Sequence, residues 1–286
     1  MSEKLVNAET GLNITGLYSV SKWRADGETQ SVTALQDRVT EEMPVAMIYN
    51  DISHAVMLAT PDDLADFALG FSLCEGILRE PSDLYGLDIV PQEKGVELRM
   101  EIASECFAHL KERRRSMAGR TGCGLCGAES LEQALRIPDK VVASDLTFDY
   151  RAILRAQESI QKSQPLQALT GATHASAWVS PEGEIRMVRE DVGRHNALDK
   201  LIGAIARAGD DRRGFVLTTS RASYEMVQKT VTAGIPMLVA ISAPTGLAIR
   251  VAENSGIALV GFTRSHQHVV YAGKDRIIYG DFEEST

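Results

Sequence analysis

No run of apolar residues in this sequence is long enough to cross a bilayer, and its first twenty residues, MSEKLVNAETGLNITGLYSV, lack the basic start and unbroken apolar stretch of a secretory signal. A cytoplasmic protein without a membrane partner is expected. Positive charge is also in deficit. The 30 Lys and Arg stand against 39 Asp and Glu, a formal charge of −9, so no whole-molecule field gathers phosphodiester backbones and nucleic acid is not an expected partner. Cysteine is scarce: four (Cys74, Cys106, Cys123, Cys126) in 286 residues are too few for a disulfide scaffold, so their thiols matter as chemistry or as packing. Internal repeats and low-complexity tracts are missing too. What is present is an ordinary globular balance, 44% apolar and 24% charged, enough for two modest domains.

The first half reads as a small α+β unit over residues 30–110. MPVAMIYNDISHAVMLATP, from Met43, has two β-forming runs around Asn50-Asp51 and predicts a hairpin. TPDDLADFALGFSLCEGIL predicts a helix with Thr60 as N-cap, Pro61 at its first position, and Leu64, Phe67, Ala68 and Phe71 on its apolar face. Cys74 falls near that face and reads as packing. YGLDIVPQEKGVELRMEIA predicts two strands around Glu-Lys-Gly. KERRRSMAGRTGCGLCGAES is basic and glycine-rich, so residues 111–130 read as a mobile loop, followed by a short helix in AESLEQALRI.

The second half, 131–286, is patterned differently. YRAILRAQESIQKSQ and ALDKLIGAIARAG predict helices, and ASAWV with EIRMVRE predicts a hairpin around Pro181-Glu182-Gly183. FVLTTS, YEMVQKTVTAG, PMLVAIS, GLAIRVAENSG and IALVGF then alternate strand, helix, strand, helix, strand, the pattern of parallel strands with helical crossovers. The fold class is therefore α/β, and α+β over the whole chain.

In such a sheet, ligands gather beyond the carboxyl ends of the strands, near helix N-termini that favour anions. Thr218-Thr219-Ser220-Arg221, Ser242-Ala243-Pro244-Thr245 and Phe262-Thr263-Arg264 fall there. Helix capping is an equal explanation for Ser220, Ser242 and Thr245. Arg221 and Arg264 are not caps, since a guanidinium opposes the helix dipole, and they point to phosphate or another anion. LTGATHASAW and REDVGRHNALDK set His174 and His195 beside glycine, hydroxyl and carboxylate groups, a binding constellation before a catalytic one.

TGCGLCG at 121–127 puts Cys123 and Cys126 in a Cys-x-x-Cys, and the residues alone leave several uses open. A structural zinc site needs four ligands, and only a mixed site with His266 and His268 would complete the shell. Deaminase zinc chemistry needs a His-x-Glu and a Pro-Cys-x-x-Cys, whereas no His-x-Glu occurs and Gly122 stands at the proline position. Disulfide cycling normally sets the motif after a strand, and none precedes it. A sulfur-carrying thiol needs access, mobility and positive surroundings, which the glycines and Arg113, Arg114, Arg115 and Arg120 offer.

Taken in order, TGCGLCG, LTGATHA, EDVGRHNALDKLIGA, SRASYEMVQKT, GIPMLVAISAPTGLA and LVGFTR resemble the formate dehydrogenase accessory sulfurtransferase family (FdhD), from about MPVAMIYND to the last strand. The resemblance implies a cytosolic homodimer whose 131–286 domain is three-layered and similar to the cytidine deaminase fold. It implies a sulfurtransferase that takes persulfide sulfur from a cysteine desulfurase. The sulfur passes to the molybdenum of a bis-molybdopterin guanine dinucleotide cofactor before that cofactor enters formate dehydrogenase. Cys123 would bear the persulfide and Cys126 would help or resolve it. Phe262, Thr263, Arg264, Ser265, His266 and Gln267 would bind the guanine-nucleotide end, together with Ser220, Arg221, Ser242, Thr245, His174 and His195. The cofactor is bound as substrate, and no resident cofactor or metal is expected. The rival expectation is a chaperone that binds this cofactor without moving sulfur.

Overall fold

The computed structural model describes residues 5–26, 29–118, 145–210, 212–264 and 266–280. Cys123, Cys126, Arg120, Ser265 and the helix expected over 128–137 lie outside the described residues. So do the side chains of Arg114, Arg115 and Arg264.

The chain opens with a ribbon of β1 (Thr15–Asp26) and β2 (Thr29–Thr40), paired antiparallel from Thr15↔Thr40 to Asp26↔Thr29. The small unit read from residue 30 thus begins inside β2. The expected hairpin follows as β3 (Met43–Tyr49) and β4 (Ile52–Ala59), with Asn50 (φ 43°) and Asp51 (φ 64°) both left-handed in the turn. β5 (Leu84–Gln92) and β6 (Gly95–Ile102) complete a four-stranded sheet in the order β4-β3-β6-β5, with β3 and β6 parallel. Its buried face, including Val45, Met47, Tyr49, Leu98 and Met100, packs against Leu64, Phe67 and Phe71 of α1 (Leu64–Cys74).

Two local expectations are corrected. α1 begins at Leu64 rather than at Pro61, after an Asp63 held at φ 50° that makes no side-chain cap bond. Thr60 is unavailable as a cap because its backbone and hydroxyl are bonded to the second half of the chain. The loop read as starting at 111 is helical through 118: α2 (Ser104–Ala118) buries Cys106 and Leu110 in the first core, and Arg113 donates to the Glu75 carbonyl at 3.0 Å.

Between α1 and β5, Asp83 accepts from both the side chain and the backbone N–H of Arg79. The Arg79 guanidinium holds the Asp83 carboxyl at about 2, below its ordinary 3.8. A depressed carboxyl stabilises the fold above its ordinary range and stops doing so as pH falls toward about 2. Arg79→Ala is therefore expected to shift the acid-unfolding midpoint, followed by circular dichroism, to higher pH.

After β7 (Phe148–Asp149) come α3 (Tyr150–Ile160), α4 (Pro165–Thr170), β8 (His174–Val179), β9 (Ile185–Asp191) and α5 (Arg194–Ala208). β10 (Phe215–Thr218), α6 (Tyr224–Thr232), β11 (Met237–Ala240), α7 (Gly246–Ser255), β12 (Ala258–Arg264) and β13 (Gln267–Ala272) follow, and β14 (Ile277–Ile278) pairs with β7. The main sheet runs β13-β12-β11-β10-β8-β9; β10, β11 and β12 are parallel, as their alternation with helices requires. Strand alternation divides its side chains between two cores. Trp178, Val216, Leu238 and Leu259 face α5, α6 and α7, while Ala177, Leu217, Val239 and Val260 face α3, giving three layers. Among the described residues no helix is long and apolar enough to cross a membrane.

α1 joins the two sheets by crossing α5 at Gly70 and Gly203. A Cβ on Gly203 would fall on the Asp66 carbonyl, and one on Gly70 on the Asp199 carbonyl, so the backbones touch. Asp66 locks the crossing through Arg189 (2.6 Å) and Arg207 (2.7 Å).

Candidate functional site

Three parallel strands end on one edge, at Thr218, Ala240 and Arg264. Antiparallel β8 starts there with His174, opposite Asp191 at the end of β9, and α5, α6 and α7 begin there. This topology brings His174, His195, Ser220, Arg221, Ser242, Thr245, Phe262 and Thr263 to a single edge, although they span ninety residues of sequence.

The loops after β10 and β11 are stitched together. Ala222 pairs with Pro244, the Thr245 N–H donates to the Ala222 carbonyl (3.0 Å), and the Phe262 N–H donates to the Ser242 carbonyl (3.2 Å). Gly261 permits this approach, since a Cβ there would sit 2.9 Å from Pro244 Cδ. Phe262 is held left-handed at φ 50° beside a register shift in the β12–β13 pair, a strained conformation of the kind that persists where surroundings enforce it.

Several anticipated hydroxyls are occupied structurally. Thr245 is the N-cap of α7 and accepts from the Ala248 N–H at 3.3 Å. Ser220 Oγ lies 3.1 Å from Thr218 Oγ1 and donates to the Arg221 carbonyl. Thr263 differs, because its Oγ1 is fully buried without a hydrogen-bond partner among the described residues. His266, in the turn after β12, pairs with Glu158 of α3 at 3.4 Å, and both are exposed. Gln267 opens β13 in the same turn and is exposed.

The cationic groups are less occupied. Arg221 is exposed and has no carboxylate partner among the described residues. Arg194 opens α5 with its Nε buried and without a hydrogen-bond partner among the described residues. Neither Gly193, the N-cap of α5, nor Ser223, the N-cap of α6, caps its helix with a side chain, so N–H groups of both helices stay available on this edge. His195 Nε2 lies 2.8 Å from Glu225 and 3.4 Å from Ser223 Oγ, and its hydrogen bond is the main reason Glu225 titrates below the ordinary carboxylate range. Burial, then the charge of Arg194, pulls His174 below the usual histidine value.

The REDVGRHN stretch needs a correction as a ligand constellation, because its carboxylates turn inward. Glu190 accepts from the Leu166 and Gln167 N–H groups and from Thr173 Oγ1, which caps the start of α4. Asp191 is buried against Lys200. Only Arg194 and His195 of the stretch face the edge groups. On the α3 and α4 side the edge opens into a cavity of about 630 Å³ lined by Gln161, Gln164, Gln167, Thr173, His174 and Thr219. The three-residue spacing of those glutamines was the available signal for this lining.

Cys74 lies far from this edge. It is buried beside the Asp199–Lys229 ion pair, and burial first, then the Asp199 charge, pushes its thiol well above the ordinary range. That fits packing rather than nucleophilic chemistry.

The FdhD/NarQ family model matches residues 40–278. The chain belongs to the FdhD/NarQ family. The match takes in both cysteines of the Cys-x-x-Cys and the whole carboxyl edge. The sulfur carrier protein FdhD of Cupriavidus necator is 57% identical over 261 residues, covering 91% of this chain and 89% of that protein. The sulfur carrier protein FdhD of Bordetella petrii is 54% identical over 256 residues, with 89% and 91% covered. A crystal structure from Desulfotalea psychrophila, provisionally described as a formate dehydrogenase accessory protein, has the same fold, with a TM-score of 0.70 over 92% of this chain and 99% of that one at 22% identity. This FdhD/NarQ fold is thus the mixed α/β architecture described above.

Proposed function

We propose that this chain is a sulfur carrier for formate dehydrogenase, acting in the cytoplasm as a homodimer and as a sulfurtransferase. The names of the Cupriavidus and Bordetella relatives support carriage, and the Desulfotalea description supports the target. The Cys123 thiolate attacks the outer sulfur of a cysteine desulfurase persulfide; a new S–S bond forms on Cys123 and the desulfurase thiolate leaves. The Cys126 thiolate then attacks the inner sulfur, closing a Cys123–Cys126 disulfide and releasing hydrosulfide to the molybdenum of the bis-molybdopterin guanine dinucleotide substrate. Electrons balance, since the two cysteine sulfurs are oxidised as the outer sulfur is reduced. An external dithiol resets the pair.

The observation that carries cofactor binding is the carboxyl edge. Two guanidinium groups without carboxylate partners among the described residues, Arg194 and Arg221, stand beside the uncapped N-termini of α5 and α6. That arrangement suits the phosphates of a guanine-nucleotide end. His174, His195, Ser242, Phe262 and Thr263 border it.

Intact mass of the unreduced protein, after incubation with cysteine and a desulfurase, is the test. The wild type is expected to gain one sulfur and Cys123→Ala none. A wild type that gains no sulfur, yet binds the cofactor, would instead be a chaperone.

A further inference from the structure

Asp191 ends β9 wholly buried and accepts four hydrogen bonds, two at each oxygen. Oδ1 takes the Gly193 N–H (2.8 Å) and Asn196 Nδ2 (3.0 Å), while Oδ2 takes the Thr60 N–H (3.0 Å) and Lys200 Nζ (2.7 Å). Thr60 itself is fully buried between β4 and α1, and its N–H, hydroxyl and carbonyl all bond to residues of β9, the turn or α5. Its Oγ1 accepts from the Val192 N–H at 3.2 Å and its carbonyl accepts from Lys200 Nζ at 3.0 Å. Asn196 also reaches back, donating to the Leu58 carbonyl at 2.8 Å.

The turn held in this way carries Arg194 and His195. Arg194 Nε makes no hydrogen bond of its own among the described residues, so backbone placement, rather than a side-chain partner, aims that guanidinium. We infer that Asp191 and Thr60 are positioning residues for anion binding: a strut from the first sheet sets the Gly193–Arg194–His195 turn so that Arg194 and the free N–H groups of α5 converge on phosphate oxygens. This rests on the reading of the carboxyl edge as a nucleotide-phosphate site. Neither residue touches the ligand. Arg194 aimed by residues from the first half also makes the edge depend on how the two sheets are docked.

A purely structural brace would lower stability without singling out ligand affinity, and GDP binding measured by calorimetry separates the two. The variants are Thr60→Val, which removes the hydroxyl acceptor, Thr60→Ser, which keeps it, and the double variant Asp191→Asn with Lys200→Met. The control removes the other buried ion pair of α5, Asp199→Asn with Lys229→Met, whose atoms lie 2.8 and 2.9 Å apart and hold no part of the turn. Thr60→Val and the first double variant are expected to weaken GDP about tenfold or more, the scale of one misplaced charge-assisted hydrogen bond. Thr60→Ser should bind like the wild type, and the control should keep its affinity even where its unfolding midpoint falls. Unchanged affinity in Thr60→Val, or equal weakening in the control, overturns the positioning role. Wild type that binds neither GDP nor pyrophosphate sinks the reading of the edge, and this role with it. If the first double variant does not fold, the Thr60 pair decides alone.

Discussion

Gly203→Ala is expected to destabilise the protein by about 3 kcal/mol, although alanine in place of a helical glycine normally stabilises a helix by about 1 kcal/mol. The reversal follows from what occupies the space. The missing Cβ of Gly203 is replaced by the Asp66 carbonyl of α1, and the nearest further atoms are also backbone, including the Gly70 nitrogen. A flexible side chain would move aside, but a helix backbone moves only as a unit. Separating α1 from α5 also pulls Asp66 away from Arg189 and Arg207, leaving a carboxylate that is 3% exposed without its cations. Gly70→Ala meets the same obstacle from the other side, at the Asp199 carbonyl. Urea unfolding of the two single variants is the measurement, and a midpoint above that of the wild type in either would show that the helices do not meet there.

Patterns confined to a dozen residues were legible in the sequence, and those that depend on a distant partner were not. The Asn50-Asp51 turn, the helix face of Leu64, Phe67 and Phe71, and the alternation through β10, β11 and β12 each follow from local periodicity. The β1–β2 ribbon does not, because most of its residues on both faces are exposed and no alternation of apolar with polar marks it. α2 was hidden by composition, since Lys111 to Arg115 read as a solvated basic loop. The edge was legible as a place, because strand ends and helix starts determine it, and Arg221 stands there as its charge at a helix start suggests. The roles within EDVGRHN were not legible. Glu190 and Asp191 look like ligand carboxylates until Leu166 and Thr60, 24 and 131 residues away, claim them. Gly70 and Gly203 are likewise explained only by their contact with each other's helix.

Lys200→Met should cost about 3 to 5 kcal/mol, the usual consequence of leaving one member of a buried ion pair without the other. Both side chains are 0% exposed, so water cannot take the place of the ammonium. Replacing a buried pair by apolar residues is often neutral, but that route is closed here. Asp191 is shared with the N–H groups of Thr60 and Gly193 and with the amide of Asn196, and an apolar substitute would orphan all three donors. Asparagine at 191 is different. It loses the charge and the acceptor for the Thr60 N–H, but its carbonyl oxygen still accepts from Gly193 and Asn196, so one donor is orphaned instead of three. Asp191→Asn combined with Lys200→Met is therefore expected to be more stable than Lys200→Met alone, a coupling that a double-mutant cycle in urea reads directly. If the double variant is instead the less stable of the two, the carboxylate is satisfied by its neutral donors, and Lys200 contributes through its packing and its bond to the Thr60 carbonyl rather than through charge.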